Sequence, residues 1–216
     1  MIEKIGTPGF ETISTPDPVV LDNLKAVLEE NPDPIYYEIG VGIGATVLEV
    51  ARMLANRGTI ILFSRASDVS EVAKDLADLG YRNVVDDWGS PSKTYSGYHF
   101  ELARGFAGGL LPMFDLAYID GGHVFHLDAA ATAVLKELCR PGGLMLFDDY
   151  SWSLEASPTL NPTVRPQTGR DYDQLQIETA HVKLVCSVLM ETDARFDRLG
   201  IINSTAIYRR KASASL

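Results

Sequence analysis

From Ile35 to Phe147, short apolar runs alternate with stretches of helical periodicity, and Gly, Pro or Asp marks most of the junctions. IYYEIG reads as a buried strand and GATVLEVARMLANRG as a helix ending at Gly58. TIILFS is a second strand; SDVSEVAKDLADLG is a helix with Ser67 or Asp68 as N-cap and Gly80 just past its end. RNVV and FDLAYID follow as strands, HLDAAATAVLKELCR as a helix stopped by Pro141-Gly142-Gly143, and LMLFDD as a fifth strand. Strands that are apolar on both faces, separated by helices, belong to a parallel sheet covered on both sides. The strict alternation then stops. SWSLEASPTLNPTVRPQTGR (151–170) has no periodicity and reads as a long loop of the kind that forms lids. DYDQLQIETAHVKLVCSVLME reads as one helix, and RFDRLGI and STAIYRR as two strands joined at Asn203. The expected fold is α/β: a doubly wound, mostly parallel, seven-stranded Rossmann-like sheet ending in an antiparallel hairpin.

The lead-in 1–34 contains an amphipathic helix within DPVVLDNLKAVLEENPDP, broken at Asp33-Pro34. It lies outside the expected sheet, placed to cover a site or to pair with a second subunit in a homo-oligomer. Residues 35–216 then form a single domain, and a chain of 216 residues can bury roughly 70% of its unfolded surface. No apolar run approaches a membrane span, and MIEKIGTPGF lacks the basic-then-apolar plan of a signal peptide. Cys139 and Cys186 are far apart in helix-like segments and form no metal or redox motif, which fits a cytoplasmic protein. A net charge of −10 opposes a phosphate backbone, so nucleic acid is excluded and a small-molecule partner is favoured.

The loop after the first strand, YYEIGVGIGA, allows two ligands. As Gly40-x-Gly42-x-x-Ala45 it satisfies the dinucleotide fingerprint; as Glu38-x-Gly40-x-Gly42-x-Gly44 it suits S-adenosylmethionine. Either way the glycines permit close backbone approach, and the following helix points its positive end at the ligand. Glu38 is placed to face the cationic end of adenosylmethionine. The second strand ends in Ser64 and Arg65 rather than the usual ribose-binding acid. Ser64 can bond a ribose hydroxyl, and Arg65 could meet the 2′-phosphate of NADP, which keeps an NADP-dependent reductase as the alternative. No Tyr-x-x-x-Lys pair supports hydride chemistry.

Asp120 ends the fourth strand, and Asp148 and Asp149 end the fifth. Neighbouring strand tips lie about 4.8 Å apart, so these carboxylates meet at the edge where doubly wound sheets place ligands. Their mutual repulsion is relieved most simply by a hard divalent cation such as Mg²⁺. The alternative is that each Asp caps its own turn. For both Asp148 and Asp149 to bind, the chain must turn between them.

YYEIGVGIGATVLEVARML, LAYIDGGHVFHLD and PGGLMLFDDY together resemble the class I S-adenosylmethionine-dependent methyltransferases over about residues 35–150. Within that class they are most similar to the metal-dependent small-molecule O-methyltransferases that include the macrocin-type sugar methyltransferases. The resemblance implies that Asp120, Asp148 and Asp149 are metal ligands, that Asp120 also lies beside the cofactor, and that a small-molecule hydroxyl is methylated. Ser64 departs from the pattern at the ribose acid, and Gly122 stands where some sugar methyltransferases carry an acidic base. His123, three residues past Asp120, is then the candidate general base, with His126 a weaker one. The family's adenine pocket follows the third strand, where Asp86 or Asp87 could bond the adenine amino group and Trp88 could pack on its ring; a solvated turn with a core Trp is the plain alternative. The aromatics of KTYSGYHF (93–100) line a pocket or fill the core. His181 reads as a core histidine, and Arg165 and Arg170 as lid residues facing an acidic acceptor or solvent. A metal-free N-methyltransferase and a non-catalytic adenosylmethionine-fold binding protein remain further alternatives.

Overall fold

The computed structural model describes residues 1–91 and 97–212. Of the aromatic segment 93–100, residues 93–96 lie outside that description. Seven strands form one sheet: β1 (Ile35–Ile39), β2 (Thr59–Phe63), β3 (Val84–Val85), β4 (Phe114–Ile119), β5 (Cys139–Phe147), β6 (Phe196–Ile202) and β7 (Thr205–Arg210). Their order is β3-β2-β1-β4-β5-β7-β6. The first five run parallel, while β7 pairs antiparallel with β5 and β6. The order reverses between β1 and β4, and at such a switch point the loops of adjacent strands diverge and leave a crevice.

Period-2 alternation sorts the strand residues onto two apolar faces. Tyr36, Ile60, Leu62, Leu116 and Leu146 face α1 (Pro18–Glu30), α2 (Ala45–Leu54) and α3 (Ala66–Asp78). Tyr37, Ile61, Phe63, Ala117 and Phe147 face α4 (Tyr98–Ala107), α5 (Phe125–Leu138) and, after the four-residue α6 (Thr168–Asp171) and the short α7 (Gln174–Glu178), α8 (His181–Val185). The doubly wound sheet with its terminal hairpin is therefore present as the residue pattern requires. The lead-in helix α1 is part of this layer: Val20 and Leu24 are fully buried against β1's face. Asp17 caps it, accepting the Val19 N–H at 2.7 Å, with Pro18 in the first turn.

Four local expectations are corrected. Helix α2 ends at Leu54, four residues before Gly58, because Ala55 and Asn56 adopt left-handed backbone. Arg65, not Ser67 or Asp68, holds the N-cap position of α3; Asp68 lies in its first turn, where the helix dipole favours an acid, and pairs with Arg65 at 2.8 Å. The Arg140–Gly143 stretch does not merely stop α5 but opens β5, with a register shift that accommodates Pro141. The single helix expected over 171–191 is broken. A capping box at Asp173 starts α7, the extended backbone of Thr179 and Ala180 ends it, and α8 runs into a π-turn at Cys186–Met190. Among the described residues no helix is long and apolar enough to cross a membrane.

Candidate functional site

The crevice at the switch point is a cavity of about 460 Å³. Its floor is built from strand tips: Glu38 from β1, Tyr118 and Asp120 from β4, and Asp148 and Asp149 from β5. Gly40, Val41, Gly42 and Ile43 form one side, His123 and Asn203 stand at another, and Thr12, Ile13, Thr15, Pro16, Asp17 and Pro18 close the top.

The three glycines of the loop do different work. Gly40 has φ +87, and a Cβ there would lie 1.9 Å from the Asp120 carbonyl oxygen, so this glycine lets the β1 and β4 tips touch. Gly42 has φ +48 and nothing within 4 Å of a built Cβ; it leaves open space beside the cavity. Gly44 caps α2 and packs on Ile2 and Val72 rather than lining the cavity.

Asp149 has φ 53, and this left-handed step is the turn that brings Asp148 and Asp149 to the same cavity. Asp148 is held on both oxygens: Tyr118 Oη donates to Oδ2 at 3.0 Å, and Thr205 Oγ1 lies 3.1 Å from Oδ1. His123, itself left-handed at φ 50, places Nε2 at 3.2 Å from Asp120 Oδ1 and 3.8 Å from Asp149 Oδ2. Trp152 packs beside its ring at 5.6 Å. Beneath this loop the buried Tyr98 hydroxyl donates to Asp128 at 2.5 Å and accepts the Gly122 N–H at 2.8 Å.

The electrostatics follow from burial and crowding of like charge. Burial pushes Glu38 up to about 8, against the pull of the Tyr36 hydroxyl bonded to it at 2.6 Å, so it is largely protonated at neutral pH. Burial likewise raises Asp120 to about 6; His123 opposes the rise, and Asp148 and Asp149 add to it. Burial alone would discharge His123, but the bonded Asp120 carboxylate, with Asp149 and Asp128 nearby, outweighs it and lifts the ring to about 9. His123 is thus an imidazolium at neutral pH, bridging two carboxylates.

The structure brings together Glu38, Gly40, Gly42, Asp120, His123, Asp148 and Asp149. It does not bring Ser64, Asp86, Asp87 or Trp88 to this cavity. Asp86 and Asp87 are exposed, and the Ser64 carbonyl accepts the Ser90 N–H at 2.8 Å. Trp88 is buried, stacked on Phe63 at 6.2 Å with Arg104 over its ring, so the core alternative holds for it. His126 is exposed, and His181 is a satisfied core histidine whose Nδ1 accepts the Phe125 N–H. Arg165 and Arg170 are exposed. Sequence reasoning missed Asp17, Tyr118, Asn203 and Thr205. Only Tyr118 carried a signal, since it lies two residues before Asp120 and so on the same side of the strand.

The donor set suits a hard divalent cation: three carboxylates line one cavity, and two of them, Asp120 and Asp149, are raised by burial and by the neighbouring acids. The Tyr118 and Thr205 hydroxyls leave Asp148 a second lone pair on each oxygen. Among the described residues no three His, Cys, Asp or Glu side chains are grouped as metal ligands; His123 lies between Asp120 and Asp149.

A glycine loop after the first strand of a doubly wound sheet, with acids on the neighbouring strand tips, is the arrangement of Rossmann-type ligand crevices. The chain belongs to a methyltransferase family: residues 37–150 match the family described as a methyltransferase domain. No curated protein matches the chain. Among solved structures it is similar to the SAH-bound methyltransferase PaMTH1 of Podospora anserina (TM-score 0.62, 16% identity, 97% of this chain and 86% of that one). It is also similar to the SAM-bound O-methyltransferase TomG of Streptomyces achromogenes (TM-score 0.57, 14% identity, 88% and 78%). A third is MycE of the mycinamycin pathway, solved with Mg, SAH and mycinamycin VI (TM-score 0.56, 19% identity); this chain is covered over 99% of its length and spans 53% of MycE. At these identities the likeness establishes the fold.

Proposed function

We propose that the protein transfers the methyl group of S-adenosylmethionine to a hydroxyl of a small molecule, with Asp120, Asp148 and Asp149 holding a divalent cation, Mg²⁺ foremost. The observation that carries this reading is that Glu38, the open face at Gly42, three aspartates and His123 all line one cavity of a methyltransferase-family chain. The ligands of TomG and MycE support it. The reductase alternative has less to stand on, because Arg65 is engaged by Asp68 at 2.8 Å.

When bound, adenosylmethionine supplies an electrophilic methyl on a sulfonium, and a cation on the aspartates makes the acceptor hydroxyl more acidic. The chain's own residues do the rest. The open backbone at Gly42 admits the donor closely. Glu38, neutral in the free protein, becomes a carboxylate when a cationic ligand lies beside it. With donor and acceptor bound, His123 in its neutral form would take the acceptor hydroxyl's proton as the methyl passes to that oxygen from the sulfonium, which would become a thioether. Much of the barrier reduction is positional, from holding oxygen, carbon and sulfur in line.

Calorimetric titration with S-adenosylmethionine and, separately, NADPH, each with and without Mg²⁺, tests the assignment. Binding of adenosylmethionine alone is expected, strengthened by Mg²⁺ in the native protein but not in Asp148→Ala. Binding of NADPH in its place overturns the reading. Transfer of labelled methyl into a panel of sugars, phenols and other alcohols then identifies the acceptor.

Gly42→Ala is expected to weaken adenosylmethionine at least tenfold, because the new methyl enters the space the donor needs. The fold survives: a left-handed alanine costs about 1–2 kcal/mol, a loss of only a few degrees in Tm. Affinity unchanged in a folded Gly42→Ala would place the donor elsewhere.

A further inference from the structure

The top of the cavity is made by chain that belongs to neither the sheet nor its helices. Residues 11–17 comprise one 3₁₀ turn, Glu11–Ile13, and an extended link to α1. Upstream, Ile2 and Ile5 pack on the α3 side of the core, and the Ile2 N–H bonds Asp75 at 2.9 Å. Downstream, the stretch is fastened at Asp17. The Asp17 N–H donates to Thr46 Oγ1 at 3.1 Å, and Asp17 Oδ2 lies 3.2 Å from Thr205 Oγ1. Between these two anchors the stretch crosses the cavity, with Ile13 48% exposed at its rim.

Thr205 is the unusual member. It is fully buried at the start of β7, and its one hydroxyl reaches two carboxylates, Asp17 Oδ2 at 3.2 Å and Asp148 Oδ1 at 3.1 Å. A hydroxyl has one proton to give, so Asp17 and Asp148 compete for it. A ligand that draws on the Asp148 carboxylate leaves the Thr205 O–H free to donate its hydrogen bond to Asp17, the residue that fastens the top of the cavity.

We propose that residues 11–17 form a roof over the acceptor side of the cavity, and that Thr205 is its latch, a positioning residue that ties Asp17 to Asp148 and tightens the roof when the site is filled. The proposal rests on the reading of this cavity as the methyl-transfer site. Thr12, Ile13 and Thr15 are then the roof residues that meet the acceptor, two hydroxyls flanking one apolar contact.

The test compares the native protein with Thr205→Val, which keeps shape and loses the hydroxyl, and with Thr205→Ser, which keeps the hydroxyl. Asp17→Ser is the independent variant: it preserves a helix cap but no longer reaches Thr205. Amide hydrogen exchange is read at Ile13 and Asp17, with Ala206 to Tyr208 of β7 as the control for intact folding. The roof amides are expected to exchange about tenfold faster in Thr205→Val and Asp17→Ser, the factor one hydrogen bond to a charged group supplies, and at native rates in Thr205→Ser. With S-adenosylhomocysteine and Mg²⁺ together as probe, exchange at the roof slows in the native protein, and S-adenosylhomocysteine dissociates about tenfold faster from Thr205→Val. Native exchange rates at Ile13 and Asp17 in both latch variants overturn the proposal. If S-adenosylhomocysteine does not bind the native protein, the methyltransferase reading fails while exchange in the free protein still decides the latch.

Discussion

His123→Asn is expected to lower kcat for the proposed methyl transfer by about 10²–10⁴-fold, the usual worth of the general base that His123 is read to be, while the fold persists. Asparagine is the informative replacement because His123 sits at φ 50, a conformation that asparagine tolerates well and alanine does not. The pH dependence carries the sign. With the ring lifted to about 9, His123 is protonated at neutral pH, and only its neutral form can accept a proton. Below that value kcat/KM of the native enzyme therefore climbs about tenfold per pH unit and then flattens. A divalent cation on Asp120 and Asp149 opposes protonation and moves this limb to lower pH. In His123→Asn the limb disappears. A native profile that stays flat between pH 7 and 10 without added metal would show that the base lies elsewhere.

Gly40→Ala should be the most damaging single-methyl addition in the chain's ligand loop. Its Cβ would meet the Asp120 carbonyl at 1.9 Å (oxygen) and 2.6 Å (carbon), and both contacts are backbone. Relief requires separating the β1 and β4 tips, which share the Asp120 N–H to Ile39 carbonyl bond at 2.8 Å. Backbone strain and overpacking together cost about 3–5 kcal/mol, a large part of the 5–15 kcal/mol by which a domain is stable. A fall in Tm of roughly 10 °C or more is expected, against a few degrees for Gly42→Ala. Equal melting of the two variants would contradict this division of labour between adjacent glycines.

The parallel part of the sheet was readable because its strands are apolar on both faces and most end at Gly or Asp, signals that need no knowledge of distant contacts. That Asp120, Asp148 and Asp149 meet at one cavity was readable for the same reason: Asp120 and Asp148 directly follow strands, Asp149 is next in the chain, and strand tips border the crevice of such folds. The failures share a physical cause. Asp17 meets Thr205 across 188 residues of sequence, and no local pattern encodes such a contact. Residues 98–107 form α4, although the aromatics of 93–100 suggested only pocket or core. Trp88 follows two exposed acids, which made it look like part of a binding turn; Phe63 and Arg104 instead enclose it. The break at Thr179 is also invisible in a helical-periodicity count, since the apolar spacing continues through it.

Strand β7 runs against its neighbour β5, so it is the start of β7 that reaches the ligand edge, together with the two-residue turn before it. Asn203 and Ser204 both have positive φ, the geometry of a tight hairpin turn; Asn203 lines the cavity, and Ser204 accepts the Tyr150 N–H at 2.8 Å. The rest of the hairpin, out to Arg210 and Phe196, extends away from the cavity along the sheet edge. An antiparallel return therefore separates two kinds of evolutionary freedom within one short element. Exchanges at the turn alter the cavity wall without a change in sheet register, while buried β7 is held by the core and only the exposed face of β6 is free to drift. Of β7 and its turn, Asn203 is the residue that borders the cavity.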